Sequence, residues 1–196
     1  MKRISSGTTA VLIGGVLTAV GSLLTWSKVA VAMPGVGEES YTFTGMDMGT
    51  GEVTLALGVL LVAVSLATLL LKRQAALEMG LALIGLAAGG FAATWGVLFF
   101  TDIEGRSADA VAQATFPGAS GAVTLSSAAK EILMNASDVA SGWGLYLAIL
   151  GGIIAFVGGL LAIVDIRAAQ RESDRADADE AAPAVTSDQG TAETGS

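Results

Sequence analysis

Neither cysteine nor histidine occurs in the 196 residues. Their absence excludes disulfides, thiolate nucleophiles, haem attachment, Cys/His zinc sites and any mechanism that uses imidazole as acid or base. Charge is also scarce: 14% of residues are Asp, Glu, Lys or Arg, against roughly 25% in an ordinary soluble domain. Of the three prolines, Pro34, Pro117 and Pro183, none falls inside an apolar run, so the interrupted helices of transporters are not signalled. The net charge is −8 and no surface concentrates Lys and Arg, so nucleic acid is not an expected partner.

Apolar residues are abundant instead. They make up 53% of the chain, and the mean hydropathy is +0.67. A soluble fold of this length cannot hide so much apolar surface, so a lipid bilayer is the expected solvent. Four runs contain no charge at all: residues 7–26, 53–71, 79–100 and 143–164. As helices each spans about 30 Å, the thickness of the hydrocarbon core. Backbone polar groups in lipid need internal partners, which makes helix the required conformation. The sequence thus predicts an all-α membrane protein, a four-transmembrane-helix bundle occupying 1–167. Residues 168–196 form an acidic cytoplasmic tail, helical at its start and disordered from about Ala181.

Basic residues set the orientation. Lys2, Arg3, Lys72, Arg73, Arg167, Arg171 and Arg175 fall on one side, and only Lys28, Arg106 and Lys130 on the other. Both termini are therefore expected in the cytoplasm of a multi-pass plasma-membrane protein. Trp26, Trp95, Phe99, Phe100, Trp143 and Tyr146 all come at the outer ends of spans, as in an interfacial aromatic belt. A competing reading takes Lys2-Arg3, the first run and Ala30-Val31-Ala32 as a cleaved signal peptide. The first run is longer than the usual apolar region of such peptides, which favours a retained helix.

Outside the lipid the sequence predicts a small extracellular cap. In loop 27–52, Val29, Val31 and Met33 alternate with polar or small residues, Pro34 to Gly37 form a turn, and Tyr41 and Phe43 follow, which is a β-hairpin pattern. Gly45, Gly49 and Gly51 then mark a tight return. Loop 101–142 carries two candidate short helices, 107–115 and one capped by Ser126 or Ser127 that runs through Met134. Asn135-Ala136-Ser137 matches a glycosylation sequon and carries no assigned role.

Chemistry is thinly signalled. Asp47 and Glu52 could offer oxygens to a cation, but their spacing is no EF-hand and solvated turn residues explain them. Asp102 with Glu104, Glu38 with Glu39, and Asp109 are loop carboxylates that nothing in the sequence orients. Glu78 and Asp165 lie at span boundaries, and no ionisable residue sits at mid-depth, where proton relays and ion paths place them. The mid-span hydroxyls of Thr18, Ser65, Thr68 and Thr94 are expected to bond within helices. No catalytic signature, cofactor motif or metal set is present, and no enzymatic activity is expected. Small-xxx-small ridges do stand out: Gly14 with Thr18, Gly15 with Ala19, Gly85 with Gly89, Gly144-Ala148-Gly152, and Gly151-Ala155-Gly159. They predict close helix packing inside the chain, with a homo-oligomer through the Gly85, Gly89 or Gly144, Gly152 ridges as the alternative. The second run holds one interior glycine, Gly58, and is expected to face lipid more.

Two stretches carry a resemblance. Ser22-Leu23-Leu24-Thr25-Trp26 closes the first run, and Gly45-Met46-Asp47 with Gly51-Glu52-Val53-Thr54-Leu55 opens the second. They are similar to an uncharacterised family of small prokaryotic four-helix membrane proteins with a Trp at the end of helix one. Many of its members have Pro before that Trp, where this chain has Thr25. The resemblance implies no activity. The topology also resembles claudin-like and tetraspanin-like proteins, although the loop cysteines of tetraspanins are missing. The functional expectation is a structural or accessory membrane protein that contacts a membrane or envelope protein through its outer loops. The alternative is a carrier or channel for a lipid or small neutral solute.

Overall fold

In the computed structural model, residues 5–33, 37–71, 75–115 and 137–181 are described, together with 126, 131 and 135. In chain order they form α1 (Ser6–Leu23), β1 (Thr25–Met33), β2 (Gly37–Thr44), α2 (Gly51–Leu70), α3 (Ala75–Thr101), α4 (Ile103–Thr115), β3 (Ser137–Ser141) and α5 (Trp143–Ala181). Four helices, α1, α2, α3 and α5, are long and apolar enough to cross a bilayer. The hairpin and the first short helix of the long loop are present, with α4 starting four residues earlier than its pattern suggested. The second short helix falls almost wholly outside the described residues, as does the tail beyond Ala181.

The bundle is built around α1 and α5, which pack against each other most extensively. α2 lies on the far side of α1, and α3 on the far side of α5, with slighter contact between α2 and α3. Small residues set this order. A Cβ on Gly7 would meet Ala162, one on Gly14 would come 2.5 Å from Ala155 N and Gly151 O, and one on Gly21 would come 2.6 Å from Ala148 N. Reciprocally, Gly144, Gly151 and Gly158 face α1. The seam repeats every seven residues on both helices, the spacing that keeps one face in register along a pair of supercoiled helices.

The +4 ridges read from the sequence behave differently. Gly144 and Ala148 touch α1, but Gly152 touches Gly89 and Ala93 of α3. Likewise Gly151 and Ala155 face α1, while Gly159 meets Ala82 and Leu86. Each +4 step advances about 40° beyond a full turn, so two steps cross from one neighbour to the next. α5 thus offers two small-residue faces, one per partner. Gly58 and Gly15 bring α2 against α1. α2 is the least enclosed span, 22% buried against 39–44% for the others, in line with its single interior glycine.

One end of the bundle carries a head. β1 is central in a three-stranded antiparallel sheet of order β2-β1-β3. Only Leu24 separates α1 from β1, only Asp102 separates α3 from α4, and only Gly142 separates β3 from α5. A register shift in the β1–β2 ladder between Thr25 and Ser27 leaves Trp26 and Ser27 both fully buried on successive positions. From Ser27 onward normal alternation resumes, with Val29 and Val31 packed with Phe43 against Ala110 and Val111 of α4. α4 is amphipathic and covers this face of the sheet.

Two expectations need correction here. The first apolar run was read as helix to Trp26, but α1 stops at Leu23. Trp26 and Phe99 are also no part of an interfacial belt. They are 0% and 1% exposed and meet edge to face at 5.0 Å, packed with Leu145 and Ala148 beneath the head. Trp26 Nε1 donates to Gly21 O over 2.8 Å, a second bond to a carbonyl that also accepts from Leu24 N at the helix end, so the buried indole N–H is satisfied. Trp143, Phe100 and Tyr146 are exposed and cluster as expected of a belt.

Candidate functional site

The sequence places no ionisable group at mid-span, and the mid-span hydroxyls are used locally. Thr18 Oγ1 donates to Gly14 O at 2.9 Å, Ser65 Oγ to Leu61 O at 2.7 Å and Thr68 Oγ1 to Ser65 O at 2.8 Å, while Thr94 is exposed. Ser22 and Thr54 form a buried hydroxyl pair at 2.7 Å that joins α1 to α2. At the end of the bundle away from the head, Asp165 accepts from Ser5 Oγ at 3.0 Å and Ser6 Oγ at 3.4 Å. This carboxylate sits where the α1 N-terminus presents its positive dipole end, so its role is a fastener between α5 and α1.

The head holds the more complex chemistry. The return from β2 to α2 is fixed by Asp47, whose Oδ2 accepts from Thr44 N and Thr44 Oγ1, both at 2.8 Å. Gly49 takes the left-handed conformation, φ +68°, which glycine adopts without strain. Gly45 lies against the Trp26 ring, and a Cβ there would come 2.7 Å from Cε2. The turn therefore rests on the same indole that closes α1.

Between this turn and α4 lies a cleft of about 280 Å³, lined by Met46, Asp47, Met48, Gly49, Arg106, Asp109, Ala110 and Gln113. A shallower hollow of about 470 Å³ adjoins it, shares Asp47, Ala110 and Gln113, and adds Tyr41, Thr42, Phe43 and Ala114. Tyr41 and Phe43 occupy one face of β2 and stack nearly parallel, centroids 6.4 Å apart. Arg106 lies with Cζ 5.1 Å above the Phe99 ring, a cation–π placement. Its Nε is buried without a hydrogen bond, although Asp102 Oδ2 is 3.4 Å away. That distance makes an ion pair and the alignment does not make a hydrogen bond. Beneath the cleft, Ser27 Oγ and Ser107 Oγ meet at 2.7 Å, both fully buried, and tie β1 to α4.

The carboxylates singled out in the sequence scatter. Asp47 and Asp109 reach the cleft. Asp102 pairs with Arg106, and Glu104 is exposed in the first turn of α4. Glu39 accepts from Tyr41 Oη at 2.7 Å, and its neighbour Glu38 is exposed. Glu52 is exposed in the first turn of α2 and is no part of the cleft lining. Arg106, Gln113, Met46 and Met48 were not anticipated. The signal for the first two was the spacing of Arg106, Asp109, Ala110 and Gln113, which puts them on one stripe of α4.

Comparison with curated proteins finds no match to this chain. Comparison with family models matches residues 8–194, all but the extreme ends, to one described as a tryptophan-associated transmembrane protein. That span takes in the four apolar helices, the sheet and the cleft, so the chain belongs to the tryptophan-associated transmembrane protein family.

Proposed function

We propose that the protein is a structural or accessory component of the plasma membrane, with its head outside, its termini in the cytoplasm, and a partner protein of the membrane or envelope held by the head. The observation that carries this reading is the fastening of the head to the bundle. Single-residue joints and the buried Trp26–Phe99 contact hold the sheet and α4 to the helices, and the Ser27–Ser107 pair ties the sheet to α4 within the head. A surface held this firmly suits recognition, since little ordering entropy is lost on contact. Among the described residues the spans pack through small residues and an apolar core, with Thr18, Ser65 and Thr68 bonded within their own helices and Ser22 to Thr54, which suits an anchor.

Orientation rests on Arg167, Arg171 and Arg175, which lie on the exposed continuation of α5 at the end opposite the head, where the positive-inside rule expects the cytoplasm. The absence of native cysteine makes the test direct. A cysteine at Ser40 on β2 should react with an impermeant maleimide in intact cells, and one at Ser173 on α5 only after lysis. The reverse pattern would refute the orientation. Photo-crosslinkers at exposed Thr42 and Gln113 should then capture one discrete partner from native membranes. Uniform background at both positions would refute the accessory role.

A further inference from the structure

We propose that the cleft between the β2–α2 turn and α4 binds a free α-amino acid with a large apolar side chain. This goes beyond the accessory reading and does not depend on it. Charge decides the ligand class. A guanidinium, Arg106, and two carboxylates, Asp47 and Asp109, line one small cleft. A simple anion would meet two carboxylates, and a bare cation would meet the guanidinium, so neither is favoured. A zwitterion satisfies both signs, with its carboxylate on Arg106 and its ammonium toward the acidic pair.

Arg106 can serve this role through its terminal nitrogens. Its ion pair with Asp102 is made through Nε, and no other polar contact of its side chain occurs among the described residues. The planar group is held over Phe99, so little side-chain freedom is lost when a carboxylate arrives. Asp47 is similarly positioned, since both bonds from Thr44 fall on Oδ2.

Apart from Gln113, the remaining lining is apolar. Met46 and Met48 flank the charged end, and the adjoining hollow leads to the stacked Tyr41 and Phe43. Methionine thioethers and aromatic faces both favour an apolar or aromatic side chain. Size narrows the class further. About 280 Å³ lies just under the range of roughly 300–1,000 Å³ typical of small-molecule sites. An amino acid backbone suits that volume, with the adjoining hollow taking its side chain.

The test is calorimetric titration of the full chain in detergent with leucine, phenylalanine and tryptophan. Phenethylamine, which lacks the carboxylate, and N-acetylphenylalanine, which lacks the ammonium, serve as comparators. Saturable binding of at least one amino acid is expected, with both comparators at least about tenfold weaker than phenylalanine, the loss of one charge-assisted contact. Arg106→Gln should weaken phenylalanine about tenfold and leave phenethylamine unchanged. Because Arg106 also packs on Phe99, Gln113→Phe provides an independent variant: it fills the cleft from an exposed position and should abolish binding while cooperative thermal unfolding is retained. Absence of saturable binding at millimolar amino acid would overturn the assignment. So would comparators that bind as well as the amino acids, or undiminished binding by the folded Gln113→Phe protein. Each of these results leaves the maleimide and crosslinking outcomes untouched, so the two readings fail separately.

Discussion

Gly14→Ala tests the central seam most sharply. The added Cβ would lie 2.5 Å from both Ala155 N and Gly151 O, and 2.8 Å from Ala155 Cβ. The first two are backbone atoms of α5, so no rotamer change relieves them and the helices must part by about 1 Å to reach ordinary contact near 3.5–4.0 Å. Overpacking of this kind costs about 1–3 kcal/mol, set against a gain of about 0.8–1 kcal/mol in helix propensity for Ala over Gly. The expected net loss is up to about 2 kcal/mol, read as a lower midpoint in SDS titration of the detergent-solubilised protein. Gly80→Ala is the matched control on α3, where an added Cβ meets nothing within 4 Å. It should gain stability or leave it unchanged. A second control follows from which atoms clash. Adding Ala155→Gly to Gly14→Ala removes only the side-chain contact, so it should not restore stability. If Gly14→Ala matched Gly80→Ala, or if Ala155→Gly rescued it, the backbone-to-backbone seam would be refuted.

Trp26→Ala should cost about 3–5 kcal/mol, the usual penalty for emptying a large aromatic site, whereas Trp143→Ala, 81% exposed, should change detergent stability by less than 0.5 kcal/mol or so; equal losses in a thermal unfolding assay would place Trp26 in the belt after all. Ser27→Ala alone should cost about 1–3 kcal/mol, because Ser107 is then left buried and unpaired, and Ser27→Ala with Ser107→Ala should recover most of it. A double-mutant cycle that shows simple additivity would contradict the pairing. α1 supplies one side of the main seam, so the mature protein in membranes should retain it. Intact-mass measurement checks this, and a chain beginning after Ala32 would sink it.

Hydropathy made the four spans legible because lipid forces every crossing segment into one conformation. Alternation in 29–33 and 41–43 made the hairpin legible for the same reason that it exists: one face is buried. β3 was not legible. Ser137–Ser141 reads SDVAS, with one apolar β-former, and it pairs with β1 because α5 delivers it there rather than through its own propensity. The belt reading failed at Trp26 and Phe99 because sequence position fixes depth along the bundle but not which way a ring points. The cleft was only half legible. Asp47 and Asp109 drew notice as lone carboxylates, yet the site exists because a turn and a helix 59 residues apart in sequence come together.

The helical seam and the sheet continue one another. Gly21 opposes Ala148 at the top of the α1–α5 contact. Six residues on from Gly21, Ser27 pairs with Ser141, seven back from Ala148, and the antiparallel pairing runs on to Val31 and Ser137. Gly142 N donates to Trp26 O at 2.8 Å in the gap between them, where an added Cβ would collide with Thr25 O. β1 can therefore meet β3 only when α1 and α5 are already seated at their glycines, and a slip of the helices would break the ladder. Closing a loop of more than 100 residues is entropically costly and is repaid only when the distant segments meet. Here a single registration event supplies both returns, the seam and the ladder. That coupling explains why so short a sheet, marginal by itself, can form the base of the head.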